Sequence, residues 1–374
     1  MTGFLIVVTA IVVLLAGYVF WPARQPATSP ARPNRDGVAS PARHAEATSR
    51  PSEAMEDGVL LDAYPCIQEI ADLPLALPVA PRRVEQLGAD TVAVVQSHVA
   101  RIRPMPINHV RLMHLLGNPE SSSTEINALT TSNPVLSARI LQTVNSPFFG
   151  RAEKITSVGR AITVLGYNNV RVLVLRESLN AIVPSADPAL ADQYNRIWVH
   201  SAAVSACASY LGKNLFKLPD YELGTIGLLH DIGKYFIHVL PASDSGMGSL
   251  PRILEEDATR GINHAALGSL VAASWQLSEI MAQTIEYHHH PSFCPPEEIP
   301  EACRKQSFVV CLADLICKSL GHSVDGAGGD RWPIRPEYFD LFGLRPDLRG
   351  IVTMRLMREI EQANATVQSY VSTT

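Results

Sequence analysis

VRVLVLRESLNAIV, residues 170–183, is the stretch on which the fold class turns. Its first part, Val170–Leu175, is rich in β-branched residues and on composition alone passes for a buried strand. The flank RESLNAIV continues the segment without a strand's alternation, so the whole stretch is predicted to be helical. Upstream, a helix is expected to open near Thr156 or Ser157 and to stop at Gly166, a natural left-handed terminator. Asn133-Pro134 supplies an N-cap and an N1 proline for a helix carrying Val135, Ile140, Leu141 and Val144. Ser122-x-x-Glu125 reads as a capping box, and Val110, Met113 and Leu116 recur at three-residue spacing before it. Downstream, helices are expected around 188–213, 220–238, 262–275, 278–290, 299–321 and 347–368. There is no alternating run and no repeat of fixed period, so the body from about residue 59 is predicted to be all-α.

The whole chain has 374 residues, 47% hydrophobic and 18% charged, with a net charge of −5. That length fits two or three domains, and the composition excludes wholesale disorder. A pI near 6.2 and the lack of a basic recognition helix argue against a nucleic-acid partner. Cysteines stand at 66, 207, 294, 303, 311 and 317 with no CxxC pair, which excludes a zinc ribbon and fits buried thiols better than a disulfide scaffold. P-loop, GxGxxG, GxSxG and HExxH motifs are absent, and Gly326-Ala327-Gly328-Gly329 reads as a flexible connector.

Phe4–Trp21 (FLIVVTAIVVLLAGYVFW) is uncharged and apolar. Its 18 residues would span about 27 Å as a helix, enough for a thin hydrocarbon core, with Tyr18 and Trp21 at the interface. A cleavable signal peptide should begin with a positive region, yet Met1-Thr2-Gly3 carries only the amino terminus. Arg24, Arg32, Arg35, Arg43 and Arg50 all follow the span. The expectation is an uncleaved single-pass anchor (1–21) in the inner, cytoplasmic membrane, with the C-terminal body in the cytoplasm. Residues 22–58 hold prolines at 22, 26, 30, 33, 41 and 51 among Ala, Ser, Thr and Arg and read as a disordered tether. A helical lead-in (59–103), a main domain (104–321) and a C-terminal loop with a helical extension (322–374) complete the division.

Several polar residues fall on apolar helical stripes. His200 shares one with Ile197, Val204, Cys207 and Leu211. His230 lies four after Ile226 within GLLHDIGK, and His264 leads Leu267, Gly268 and Val271. His288 follows Met281, Thr284 and Ile285, with His289 four beyond Ile285; Asp314 interrupts Val310, Cys311 and Cys317. Each points toward the core. A lone histidine there is usually a satisfied core residue, whereas a carboxylate is costly without a cation or donors. Five helices each presenting such a group favour a shared interhelical site, and imidazole with carboxylate suits Zn, Fe or Mn rather than Ca. Lys234 reads either as a phosphate partner or as an ordinary cation near a helix end. His290, before Pro291, is expected to be solvated or capping; Asp220 and Glu222 to be first-turn charges; His109 and His114 to be structural or exposed.

These segments resemble the HDOD domain (HD-related output domain) of bacterial signalling proteins. The likeness is carried by ALTTSNPVLSARILQTVNSPFFG (128–150), ITSVGRAITVLGYNNVRVLVL (155–175), WVHSAAVSA (198–206), GLLHDIGK (227–234), INHAALGSLVAASWQL (262–277) and EYHHHP (286–291). Asn133-Pro134 stands where the family usually has Asp-Pro. The resemblance implies a two-lobed all-helical module acting in signal transduction, its second lobe similar to the HD phosphohydrolase superfamily. By that likeness His200, His230, Asp231 and Asp314 match metal ligands. His264, His288 and His289 match a second metal group of the HD-GYP phosphodiesterases, with Lys234 near phosphate. Pro291-Ser292-Phe293 replaces their Gly-Tyr-Pro, which weakens an assignment of cyclic-dinucleotide cleavage. The expected function is therefore a membrane-anchored signalling module working through protein partners or a nucleotide second messenger. The alternative is a metal-dependent phosphohydrolase of the HD type, with Asp231 bridging two metals and Lys234 assisting.

Overall fold

The strip Val170–Leu175 is helical, and its position explains why it imitates a strand. The computed structural model describes residues 79–118, 120–150, 153–182, 188–243, 251–324, 331–345 and 351–371. The apolar run 4–21, the tether 22–58, the lead-in up to 78 and the Gly326–Gly329 connector lie outside the described residues. Among the described residues no strand occurs, and no helix is long and apolar enough to cross a membrane.

α1 (Ala89–Val99) packs on the second lobe through Val95, and the first lobe comprises α2 (Ile107–Gly117), α3 (Ser123–Thr131), α4 (Pro134–Val144) and α5 (Val158–Ile182). The second lobe holds α6 (Pro188–Leu211), α7 (Asp220–Leu229), α8 (Arg252–Arg260), α9 (His264–Ser274), α10 (Glu279–Tyr287) and α11 (Glu301–Ser319), followed by α12 (Pro336–Phe342) and α13 (Met354–Val371). Helix α5 runs between two cores. Val170, Leu173 and Val174 pack with Leu136, Ile140 and Ile162 of the first lobe. Val172, Leu175 and Leu179 pack into the second lobe beside Trp198. A helix covered on two sides has apolar residues nearly all round, so its sequence loses the usual stripe. Burying each such side chain stabilises the fold by roughly 1.5–3 kcal/mol.

Gly166 interrupts α5 at φ 77°, ψ 155°, a conformation that glycine adopts without steric penalty, and the helix resumes beyond it. Asn133 caps α4 as expected, accepting the Leu136 N–H at 3.1 Å. The capping box at Ser122 is not formed. Ser122 stands at the N-cap without a side-chain hydrogen bond, and Glu125 pairs instead with Arg111 at 2.5 Å.

Two expected helices are shorter than their periodicity implies. The segment 220–238 leaves the α-helix at Leu229 and continues as 3₁₀ turns over Ile232–Tyr235 and Ile237–Val239. The segment 278–290 ends at Tyr287, and His290–Ser292 forms a 3₁₀ turn. Both breaks fall where histidines leave a helix end, and apolar spacing alone does not register them. Helix α6 is central to the second lobe, packing against α7, α11 and α13, while α9 pairs with α10. The turn after Asp231 lies hard against α9: a Cβ on Gly233 would overlap the His264 carbonyl oxygen and approach the Gly268 nitrogen at 2.8 Å. Only glycine permits that approach. Cys207, Cys294, Cys303, Cys311 and Cys317 are buried free thiols.

Candidate metal centre

Five elements deliver seven side chains to one place in the second lobe. His200 comes from α6, His230 and Asp231 from the end of α7, His264 from the start of α9, His288 and His289 from the end of α10, and Asp314 from α11. Their coordinating atoms form two groups, Asp231 with His264, His288 and His289, and His200 with His230 and Asp314, each within 4.8 Å. Asp231 stands between them. Its Oδ2 lies 3.7 Å from His200 Nε2 and 3.5 Å from His230 Nε2, while its Oδ1 lies 3.3 Å from His264 Nε2 and 3.9 Å from His288 Nε2. His200 Nε2 is 3.0 Å from Asp314 Oδ1, and the His264 and His289 Nε2 atoms are 3.0 Å apart.

The imidazoles are aimed by their other nitrogen. Helices α7 and α10 use one device. The carbonyl three residues back, freed at the helix end, accepts the Nδ1 proton: Gly227 from His230 at 2.7 Å and Ile285 from His288 at 2.6 Å. His200, in mid-helix, donates to the His322 carbonyl at 2.6 Å. His264 donates both its backbone N–H (2.8 Å) and Nδ1 (2.6 Å) to Glu256 Oε2. A carbonyl only accepts, so His200, His230 and His288 carry their proton on Nδ1 and turn the Nε2 lone pair inward.

That leaves a set of buried atoms without partners: Nε2 of His200, His230 and His288, and Oδ1 of Asp231 and Asp314. Orphaned acceptors facing one another are unfavourable in a dry interior unless a cation lies among them. Inward Nε2 lone pairs, with Nδ1 held by a carbonyl or carboxylate, are the outer-shell pattern of metal-binding histidines. The donor set therefore fits a divalent ion such as Zn, Fe or Mn.

Protonation equilibria point the same way. Burial lowers His230 to about 4 and holds His288 and His289 well below the ordinary histidine value, which keeps them neutral. Burial pushes the two aspartates up, but nearby cations outweigh it. Lys234 is foremost in holding Asp231 well below the usual carboxylate range, and Lys318 in doing so for Asp314.

Three contributors were not singled out in the sequence: Glu256, Lys318, whose Nζ meets Asp314 Oδ2 at 2.8 Å, and the His322 carbonyl. Lys234 Nζ meets Asp231 Oδ2 at 2.8 Å. His290 departs from expectation. It is fully buried, its ring 4.7 Å from that of Tyr287, and burial drives it down to about 3, because the chain turns inward at Pro291 instead of ending at the surface. His109 is structural, as expected, and far from these ligands in the first lobe.

A model of the HDOD domain matches residues 102–291, half of the chain. The chain belongs to the HDOD-domain family. Solved structures share the fold: an HDOD domain protein from Geobacter sulfurreducens is 20% identical with a TM-score of 0.54, covering 75% of this chain and 98% of that one. A Shewanella amazonensis SB2B protein named as a candidate phosphohydrolase is 23% identical with a TM-score of 0.52, covering 74% and 98%. A Marinobacter aquaeolei VT8 protein, named as a candidate signal transduction protein, is 19% identical with a TM-score of 0.54, covering 86% and 67%. An uncharacterized protein of Treponema pallidum (strain Nichols) is 22% identical over 252 residues, 65% of this chain, and the chain spans about half, 48%, of that relative's length. The HDOD match stops at Pro291, short of α11, so Asp314, Lys318 and the His322 carbonyl complete the centre from outside the matched span.

Proposed function

We propose that this HDOD protein is a membrane-tethered signal-transduction module whose second lobe binds divalent metal as part of its architecture, and that it acts by contact with protein partners or a nucleotide signal. The observation that carries this reading is closure. None of the seven converging residues is more than 8% exposed, and both aspartates already hold a buried lysine. In structural metal sites protein ligands fill every coordination position, whereas catalytic ones keep one open to substrate, and so enclosed a set of ligands fits the first better. The anchor would be the apolar run 4–21, with 22–58 as the tether, and the arginines that follow the run favour a cytoplasmic body. A reporter fused after Thr374 should read as cytoplasmic; a periplasmic reading rejects the topology.

The second reading, a metal-dependent phosphohydrolase, is favoured by one feature: Asp231 turns a separate oxygen to each ligand group, the disposition expected of a bridging carboxylate. Divalent ions there would supply an acidified water and charge neutralisation at phosphorus. In that case Asp231 would join the two groups and Lys234 would meet an anionic oxygen.

One experiment separates the two. The full chain is assayed for metal and for hydrolysis of cyclic dinucleotides, nucleotides and phosphomonoesters, beside Asp231→Asn. Bound metal whose removal lowers the Tm, without hydrolysis above a metal-free control, supports the module. A ligand held at 100-fold above its Kd stabilises by about 2.7 kcal/mol, a readily measured shift. Hydrolysis that vanishes in a folded Asp231→Asn makes the protein an enzyme.

A further inference from the structure

A second site lies where the two cores meet, away from the histidines. α2 of the first lobe faces α7 and α10 of the second across a cavity of about 240 Å³. Its wall includes Met105, Met113, Leu229, Leu277 and Met281, and the one carboxylate on it is Glu222. Met105 belongs to the core of the second lobe and Met113 to that of the first, so the space is a seam between them.

Glu222 sits in the first turn of α7, where an acid is favourable on sequence grounds alone. That role leaves its burial unexplained. The side chain is half-buried, no hydrogen bond or ion pair reaches it among the described residues, and burial raises its carboxyl with no cation to offset it. Buried carboxylates of this lobe have partners: Asp231 and Asp314 each have a lysine at 2.8 Å, Glu256 has His264 at 2.6 Å, and Asp257 has Asn263 at 2.9 Å. A half-buried carboxylate beside a mainly apolar wall loses part of its hydration and gains when a cation comes to it. Most of the wall is thioether and aliphatic, with His114, Thr225 and Ser278 as its other polar side chains. Methionines adapt to a guest's shape and make favourable sulfur–aromatic contacts. At about 30 Å³ per water-sized group, the space holds a body of roughly eight non-hydrogen atoms.

We infer that the seam between the lobes binds a small apolar amine, its ammonium on Glu222 and its body among Met105, Met113 and Met281. The site needs neither metal nor hydrolysis, so it stands apart from the reading above. Leu229 immediately precedes His230, and Met281 lies on the helix that ends at His288, so a guest bears on two of the helices that carry the centre.

The test titrates the full chain with 2-phenylethylamine, using 2-phenylethanol and 3-phenylpropionate as neutral and anionic counterparts. The wild type should bind one amine per chain at least tenfold more tightly than the alcohol or the acid. Glu222→Gln, at a half-exposed position, should keep the Tm and bring the amine down to the level of the alcohol. Met281→Trp fills the seam and should abolish binding of all three; if it fails to fold, Glu222→Gln alone decides. Amine binding unchanged in Glu222→Gln, equal binding of amine and acid, or no saturable amine binding by the wild type each overturns the proposal.

Discussion

Two buried histidines, one in each lobe, show what distinguishes a structural imidazole from one built to receive something. His109 in the first lobe has both nitrogens occupied. Its Nδ1 donates to Ser178 Oγ at 2.7 Å, the hydroxyl proton of Ser178 goes to the Val174 carbonyl, and Nε2 accepts from Asn133 Nδ2 at 2.9 Å. The network closes, and nothing further is needed. His230 in the second lobe has the same protonated Nδ1, tied to Gly227, but its Nε2 faces other acceptors and has no partner. The first lobe spends its polar groups on one another; the second leaves them converging. Burial does not separate the cases. The unsatisfied nitrogen does.

The contrast can be broken most directly at Asp231. Asp231→Ala should lower stability by about 3–5 kcal/mol, because it strands Lys234 in a buried site, and should lower bound metal at the same time. Denaturant unfolding with metal analysis of the folded variant measures both. A loss of stability without loss of metal would reduce the centre to an ion-pair network. His109→Leu should cost less, about 1–3 kcal/mol for the Asn133 amide left without its acceptor, and should leave metal content unchanged. If it too released metal, the lobes would not be separable in this way.

The smallest effect concerns pH. His109 lies below its ordinary 6.5, chiefly through burial, against a weaker opposing pull from Glu177. The folded state prefers the neutral ring, so on acidification the unfolded chain takes up the proton first. Its contribution is therefore intact above pH 6.5 and is lost as pH falls from there through the lowered folded value. The stability gap between wild type and His109→Leu should narrow on going from pH 7 to about pH 5. A gap that widens contradicts a neutral, fully bonded ring.

Much of the centre is legible in the sequence. Asp314 could be singled out because a carboxylate amid Val310, Cys311 and Cys317 breaks a pattern. Glu256 could not: it sits in LEEDATR, where an acid looks like one more solvated charge, and only the packing of α8 against α9 buries it. Lys318 was hidden similarly, since a lysine in the last turn of a helix needs no further explanation. The His322 carbonyl is backbone and leaves no side-chain signal. Sequence thus marks residues that violate their local pattern and passes over those whose pattern is ordinary while their environment is not. Val170–Leu175 is the converse, a pattern that looked anomalous because a second core covers its far side.

The bond from His200 to the His322 carbonyl joins points 122 residues apart, and the ring of His322 is itself met by the Asn364 amide on α13 at 3.1 Å. This gives synthesis an order. When a nascent chain has emerged as far as His289, six of the seven converging side chains are outside the ribosome, yet His200 still has no acceptor for its Nδ1 proton and Asp314 has not appeared. The centre therefore cannot close progressively as the chain lengthens; it closes late, once the carboxyl-terminal helices arrive. Until then its histidines lack the burial that keeps them neutral, so a divalent ion taken up by this lobe would be enclosed only after the carboxyl-terminal helices have packed.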